Sequence, residues 1–165
     1  MGSGKSSVGE RLSEVLSYKY IDLDGYIQQK ENRTISEIFK NKGEIYFRTI
    51  ESKYLKEILV AHDSAVISLG GGTPCYGHNM ETIKNSKATS SVYLKTSIAC
   101  LSERLLLEKD ERPLISHLKN KKELNEFIGK HLFERTPYYD RSDIVVGTDN
   151  KTVDEVVESI ILKLF

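Results

Sequence analysis

Gly2-Ser3-Gly4-Lys5-Ser6-Ser7 is the stretch on which the reading of the chain turns. It is the second half of the pattern G-x-x-x-x-G-K-[ST], in which small residues let backbone N–H groups close around phosphate oxygens. Behind it, Val8, Leu12, Val15 and Leu16 recur on one helical face, so the spacing predicts a helix over residues 5–16. The amino end of that helix adds favourable dipole charge toward an anion. On this reading Lys5 reaches the β- and γ-phosphates of a nucleotide and the Ser6 hydroxyl ligates magnesium. The competing reading is a flexible glycine–serine start before a surface helix.

The full pattern needs a glycine five positions before Gly4, ahead of Met1. The strand that delivers such a loop has no residues here either. The expectation is therefore that Met1 is internal to a longer natural chain, with a natural short form as the alternative. The absent strand is expected between the strands at 18–23 and 65–69, or beside one of them.

Outward from the loop, helices alternate with short apolar strands. Strands are expected at 18–23, 65–69, 91–94 and 144–146. Helices are expected at 36–40 and 44–62 with a break around Lys42-Gly43, and at 79–85, 98–108, 123–134 and 153–164. Residues 65–69 read as a buried strand ending at three glycines. Repeated β-α alternation predicts a three-layer α/β/α arrangement around a parallel sheet, lacking its first strand. Ligands of such sheets bind at the carboxyl ends of the strands. No linker, repeat or low-complexity segment interrupts 1–165, so one domain is expected.

Bulk properties exclude several classes. With 24 basic and 24 acidic residues the formal charge is zero, which argues against nucleic acid or an anionic membrane as partner. No apolar run approaches the ~20 residues of a membrane helix, and the expected compartment is the cytoplasm. Cys75 and Cys100 are too few and too far apart for a disulfide framework or metal site. The triplets Asn32-Arg33-Thr34 and Asn150-Lys151-Thr152 match a glycosylation pattern by chance, and the charged run 119–123 reads as a solvated helix start.

Further candidates follow the loop. Asp22 and Asp24 alternate at the end of the second strand, so both carboxylates can face one cleft; equally, an aspartate there can cap the next helix. Gly70, Gly71 and Gly72 let a ligand approach the backbone, or simply make a tight turn. Arg48 and Glu51 are neighbours on a helix, so Glu51 could hold the guanidinium; a surface ion pair of little value is the alternative. Arg112 lies in a polar stretch, about 109–118, where a lid would sit. Arg135 falls near the end of a long helix.

Together these pieces resemble the shikimate kinase family, in order and along nearly the whole chain. The resemblance is carried by Gly2-Ser3-Gly4-Lys5-Ser6, Asp22-Leu23-Asp24, Phe39 with Gly43-Glu44 and Phe47-Arg48, Ser68-Leu69-Gly70-Gly71-Gly72, Arg112-Pro113-Leu114, and Glu134-Arg135 with Tyr139. It implies a P-loop kinase that uses MgATP to phosphorylate the 3-hydroxyl of shikimate, acting as a monomer. By motif position it implies that Gly2, Ser3, Gly4, Lys5, Ser6 and Ser7 bind ATP and that Ser6 and Asp22 hold magnesium. Asp24 would bind the acceptor hydroxyls and take the proton. Arg48 and Arg135 would clamp the carboxylate, with backbone contacts from Gly70, Gly71 and Gly72. Arg112 would reach the transferring phosphate and Arg104 would stack on adenine. The competing functions are a gluconate- or nucleotide-type kinase on the same fold, and a non-catalytic ATP-binding paralogue.

Overall fold

The computed structural model describes residues 2–107, 115–118 and 120–165. It divides into two compact units. One takes Lys5–Ser91; the other takes Val92–Phe165 together with the start of the chain through Gly4.

The Lys5–Ser91 unit runs α1 (Lys5–Leu16), β1 (Lys19–Asp22), α2 (Leu23–Glu31), α3 (Ile35–Ala61), β2 (Ala65–Ser68), a 3-10 turn (Thr73–Cys75) and α4 (Asn79–Asn85). β1 and β2 pair in parallel, from Lys19 opposite Ala65 to Asp22 opposite Ser68. A parallel pair requires a crossover, and α2 and α3 supply it. The expected break in α3 falls at Gly43, whose φ of 80° and ψ of 173° interrupt an otherwise helical run. Phe39 and Phe47 close over the break, ring to ring at 4.6 Å.

The core of this unit forms where the helices meet the strand pair. Leu23, Ile27, Ile38, Leu55 and Ile58 are all at most 1% exposed. Two carboxylates then fasten α2 to α3. The hydroxyls of Tyr46 and Tyr54 donate to Glu31 at 2.9 and 2.6 Å. Those of Tyr26 and the Lys30 ammonium reach Glu57 at 2.6 and 2.7 Å. The bond to the Glu31 carboxylate pushes the Tyr54 phenol up to about 12, because ionising it would set two anions together.

The second unit contains β3 (Val92–Lys95), α5 (Ile98–Leu107), α6 (Lys121–Tyr139), β4 (Ile144–Gly147) and α7 (Val153–Leu164). β3 and β4 again pair in parallel. Leu101, Leu105, Ile115, Leu124 and Ile128 form one core cluster, and Val156, Val157 and Ile160 bury the inner face of α7. Past the carboxyl ends of both strands, Thr96 and Thr148 share a buried hydrogen bond of 2.6 Å. There a cavity of about 380 Å³ is lined by Lys95, Thr96, Ser97, Gly147, Asp149 and Lys151.

The two glycosylation-like triplets turn out to be helix punctuation. Asn32 and Asn150 take left-handed φ of 51° and 56°. Thr34 and Thr152 are N-caps with complete capping boxes to Glu37 and Glu155. Within the charged run, 120–123 form the expected helix start, with the Asn120 side chain accepting from the Glu123 amide at 2.9 Å.

Three expectations are corrected. No further strand fits between 18–23 and 65–69, since those strands are hydrogen-bonded to each other along their length. The strand over 65–69 is less buried than its apolar run suggests: Ala65, Val66 and Ile67 are half-buried and Ser68 alone is buried, because β2 has one strand neighbour among the described residues. α6 continues to Tyr139, through Pro137, although proline inside a helix forgoes the backbone bond to the carbonyl four residues before it. The core assignment predicts that Ile58→Ala lowers unfolding free energy by about 2–5 kcal/mol. Val60→Ala, two positions on but 86% exposed, should change it by less than about 0.5 kcal/mol. Urea titration of both variants measures the difference.

Candidate active site

The loop ahead of α1 bends through Gly2 and Gly4, with φ of 72° and 83°. L side chains rarely adopt these values, so the glycines are demanded by the path of the backbone. That path delivers Lys5 as the first residue of α1 and leaves Ser6 and Ser7 exposed in its opening turn. In the unit that contains Gly2, the Arg104 guanidinium lies beside the loop, 3.4 Å from the Gly2 carbonyl. Asp149, at the cavity beyond β4, is held below the usual carboxylate range, chiefly by the backbone amide and side chain of Ser97, with Arg104 contributing at longer range.

Asp22 and Asp24 do not alternate along a strand as expected. β1 ends at Asp22, whose side chain accepts the Gly25 amide at 2.8 Å and caps α2. Asp24 therefore stands in the first turn of that helix. The helix begins directly after the Asp22 cap, at the fully buried Leu23. The two carboxylates nonetheless remain close enough to interact. Burial pushes the Asp24 carboxyl above its ordinary range, the charges of Asp22 and Glu51 push it further, and Lys5 and Arg48 pull in the opposite direction. The Gly70 backbone comes up against the Asp24 carboxylate: a methyl group on that glycine would stand 3.4 Å from Oδ1.

Arg48 and Glu51 are far from a surface pair. Glu51 is 1% exposed. One oxygen accepts from Arg48 Nη1 at 2.9 Å, and the other from the Thr73 hydroxyl at 2.7 Å. Thr73 is itself buried, and its carbonyl accepts from the Asn79 side chain at 2.9 Å. Arg48 Nε reaches Glu44 at 3.4 Å, and the guanidinium lies 3.8 Å from the centre of the Tyr76 ring. It also packs on Gly72, where a methyl group would meet Nη2 at 3.0 Å. Lys5, Asp24, Arg48 and Gly70–Gly72 therefore gather at the carboxyl ends of β1 and β2. Arg135 is half-buried in α6 of the other unit. Arg112 and most of the expected lid lie outside the described residues.

Sequence reasoning missed Thr73, Tyr76 and Asn79. They lie in and just after the short turn that follows the triple glycine, with Asn79 at the start of α4, and no spacing pattern linked them to Arg48 and Glu51.

A family model described as shikimate kinase matches residues 1–165. The chain belongs to the shikimate kinase family. It is 44% identical to a shikimate kinase of Flavobacterium johnsoniae over 161 residues, 98% of this chain and 92% of that protein. The crystal structure of shikimate kinase from Bacteroides thetaiotaomicron matches with a TM-score of 0.86 at 30% identity, covering 99% of this chain and 93% of that one. Shikimate kinase from Acinetobacter baumannii in complex with shikimate matches with a TM-score of 0.83 at 30% identity, over 98% and 86% of the two chains. As a member of this family the chain has the P-loop kinase α/β fold and is an ATP-dependent kinase.

The crowding at Asp24 has a measurable consequence. A carboxyl whose folded pKa is raised above its unfolded value favours folding below the unfolded pKa, and that advantage is lost as pH rises through the folded pKa. Ionisation of Asp24 thus opposes folding. Asp24→Asn is expected to unfold at a higher temperature than the parent at pH 7, with the gap closing toward acid pH. Thermal unfolding at several pH values checks this.

Proposed function

We propose that this chain transfers the γ-phosphoryl group of ATP to the 3-hydroxyl of shikimate. The observation that carries the reading is the preset guanidinium of Arg48 beside the Asp24 carboxylate and the triple glycine. Shikimate bears one carboxylate and three hydroxyls. A rigid fork of donors suits the first, and an aspartate that accepts hydrogen bonds suits the second. Family membership and a relative solved with shikimate support the same assignment.

In this reading the amides of Gly2, Ser3, Gly4, Lys5, Ser6 and Ser7 cradle the phosphates, and the ammonium of Lys5 neutralises charge on the β- and γ-phosphates. Arg104 and the cavity past β3 and β4 would receive the nucleoside end, at the strand ends where such sheets bind ligands. Arg48 and Arg135 would hold the shikimate carboxylate, and the backbone of Gly70, Gly71 and Gly72 would line its ring. Asp24 would orient the 3-hydroxyl and accept its proton as the oxygen–phosphorus bond forms and the bond to ADP breaks. A raised pKa makes it a better base than an ordinary carboxylate. Arg112 would steady the phosphoryl group in flight.

The donor set also fits magnesium. Asp22 and Asp24 repel each other, so negative charge there is in excess, and the Ser6 hydroxyl is exposed in the opening turn of α1. No group of three or more His, Cys, Asp or Glu side chains could cage a metal among the described residues. Magnesium keeps several waters and binds mainly through substrate phosphates. Ser6 and Asp22 would hold it, and when bound it supplies charge neutralisation at the β- and γ-oxygens. The reaction needs only small soluble substrates, and we place it in the cytoplasm.

Loss of a charge-assisted, two-pronged contact is worth about 1.5–3 kcal/mol, roughly ten- to over a hundredfold. Arg48→Ala and Arg135→Ala should each raise the KM for shikimate by that factor and leave the KM for ATP nearly unchanged. Steady-state ADP release with each substrate varied tests this, and faster turnover of gluconate than shikimate by the parent protein would overturn the assignment.

A further inference from the structure

The Arg48 guanidinium is held on more sides than an ion pair requires. Nε and Nη1 are taken by Glu44 and Glu51. One face meets the Tyr76 ring, centroid to guanidinium carbon 3.8 Å, and the Gly72 backbone closes in near Nη1 and Nη2. Among the described residues Nη2 has no hydrogen-bond partner. The side chain is 20% exposed. Tyr76 itself remains 39% exposed, which leaves the ring at the mouth of the site rather than in the core.

These contacts do different jobs. The carboxylates fix where the charge sits. They leave the guanidinium plane able to tilt, because a hydrogen bond tolerates some angular spread. A flat ring pressed on the face removes that freedom and keeps water off it. Stacking of this kind is a property of arginine on aromatic rings that lysine does not reproduce. The position of the ring is in turn set from below. Thr73, in the 3-10 turn just before Tyr76, is pinned to Glu51, and the Tyr76 carbonyl accepts the Asn79 amide at 3.3 Å. The same short turn thus steadies both the carboxylate under the guanidinium and the ring over it.

We infer that Tyr76 is a positioning residue for the acceptor subsite: its ring fixes the plane of Arg48, so that the open Nη2 end presents its N–H donors to the planar carboxylate of a small hydroxy acid. This rests on the proposed function above and adds the device that sets how tightly, and how selectively, the carboxylate is taken. The ring touches no reacting atom, so its loss should appear in acceptor binding and not in the chemical step.

The experiment is steady-state kinetics with shikimate and ATP on Tyr76→Ala, Tyr76→Leu and Tyr76→Phe, and on Tyr76→Ala combined with Arg48→Lys, with thermal midpoints as a check on folding. Tyr76→Ala is expected to raise the KM for shikimate about three- to thirtyfold, with the KM for ATP and kcat within about twofold. Tyr76→Phe keeps the face and should restore the parent KM. Tyr76→Leu fills similar space without a face and should not. In the Arg48→Lys background, Tyr76→Ala should add nothing further. An unchanged shikimate KM in Tyr76→Ala, rescue by Leu equal to rescue by Phe, or an undiminished effect in the Arg48→Lys background would each overturn the inference while leaving the kinase assignment standing. Absence of shikimate-dependent turnover in the parent protein would instead remove the assignment, and the inference with it.

Discussion

A carboxylate buried to 1% exposure is the constraint around which the Lys5–Ser91 unit is arranged. Removing an ion such as Glu51 from water is worth several kcal/mol against folding unless its lone pairs are met. Arg48 meets one oxygen and Thr73 the other. Satisfying Glu51 fixes the second half of α3 against the turn that follows the triple glycine, and Asn79 carries the same network into α4. The guanidinium that Glu51 requires for its own stability is thereby set at the carboxyl ends of β1 and β2. Structural necessity and the proposed carboxylate recognition share one pair of residues.

The opposite economy holds at Asp24. Burial and two neighbouring carboxylates disfavour its charged form, and a sequence optimised for stability alone would not place an acid there. Such local conflicts belong to functional sites, where other parts of the fold offset them. Here the offset is visible in the tyrosine–carboxylate contacts that fasten α2, which carries Asp24, to α3, which carries Arg48. The separation of the two groups is set by that fastening as much as by the site itself.

Much of this was legible in the residues. The apolar spacing of Val8, Leu12, Val15 and Leu16 marked α1, although Val15 is left exposed, and Gly43 marked the break in α3, because helical periodicity and a glycine are local signals. Arg48 and Glu51 were recognisable as neighbours for the same reason. Their burial was not, since nothing within α3 reveals that Thr73 will close over Glu51 from a segment more than twenty residues away. The expected alternation of Asp22 and Asp24 failed because a short apolar run reads equally as strand or helix, and the Asp22 cap starts α2 at Leu23. The stacking of Tyr76 on Arg48 left no trace in sequence spacing at all, being a contact between a helix and an irregular turn. Resemblance along the chain supplied what periodicity could not, namely which of these side chains to consider together.

The account stands or falls on Glu51 acting through Arg48. Calorimetric titration of shikimate into the parent protein and into Glu51→Gln, with ADP titrated separately, measures that link without requiring turnover. Glutamine keeps the shape and one hydrogen bond to each partner but removes the charge, so the account predicts at least a tenfold weaker shikimate affinity, about 1.4 kcal/mol, with ADP affinity unchanged. A folded Glu51→Gln variant that binds shikimate as tightly as the parent would contradict it.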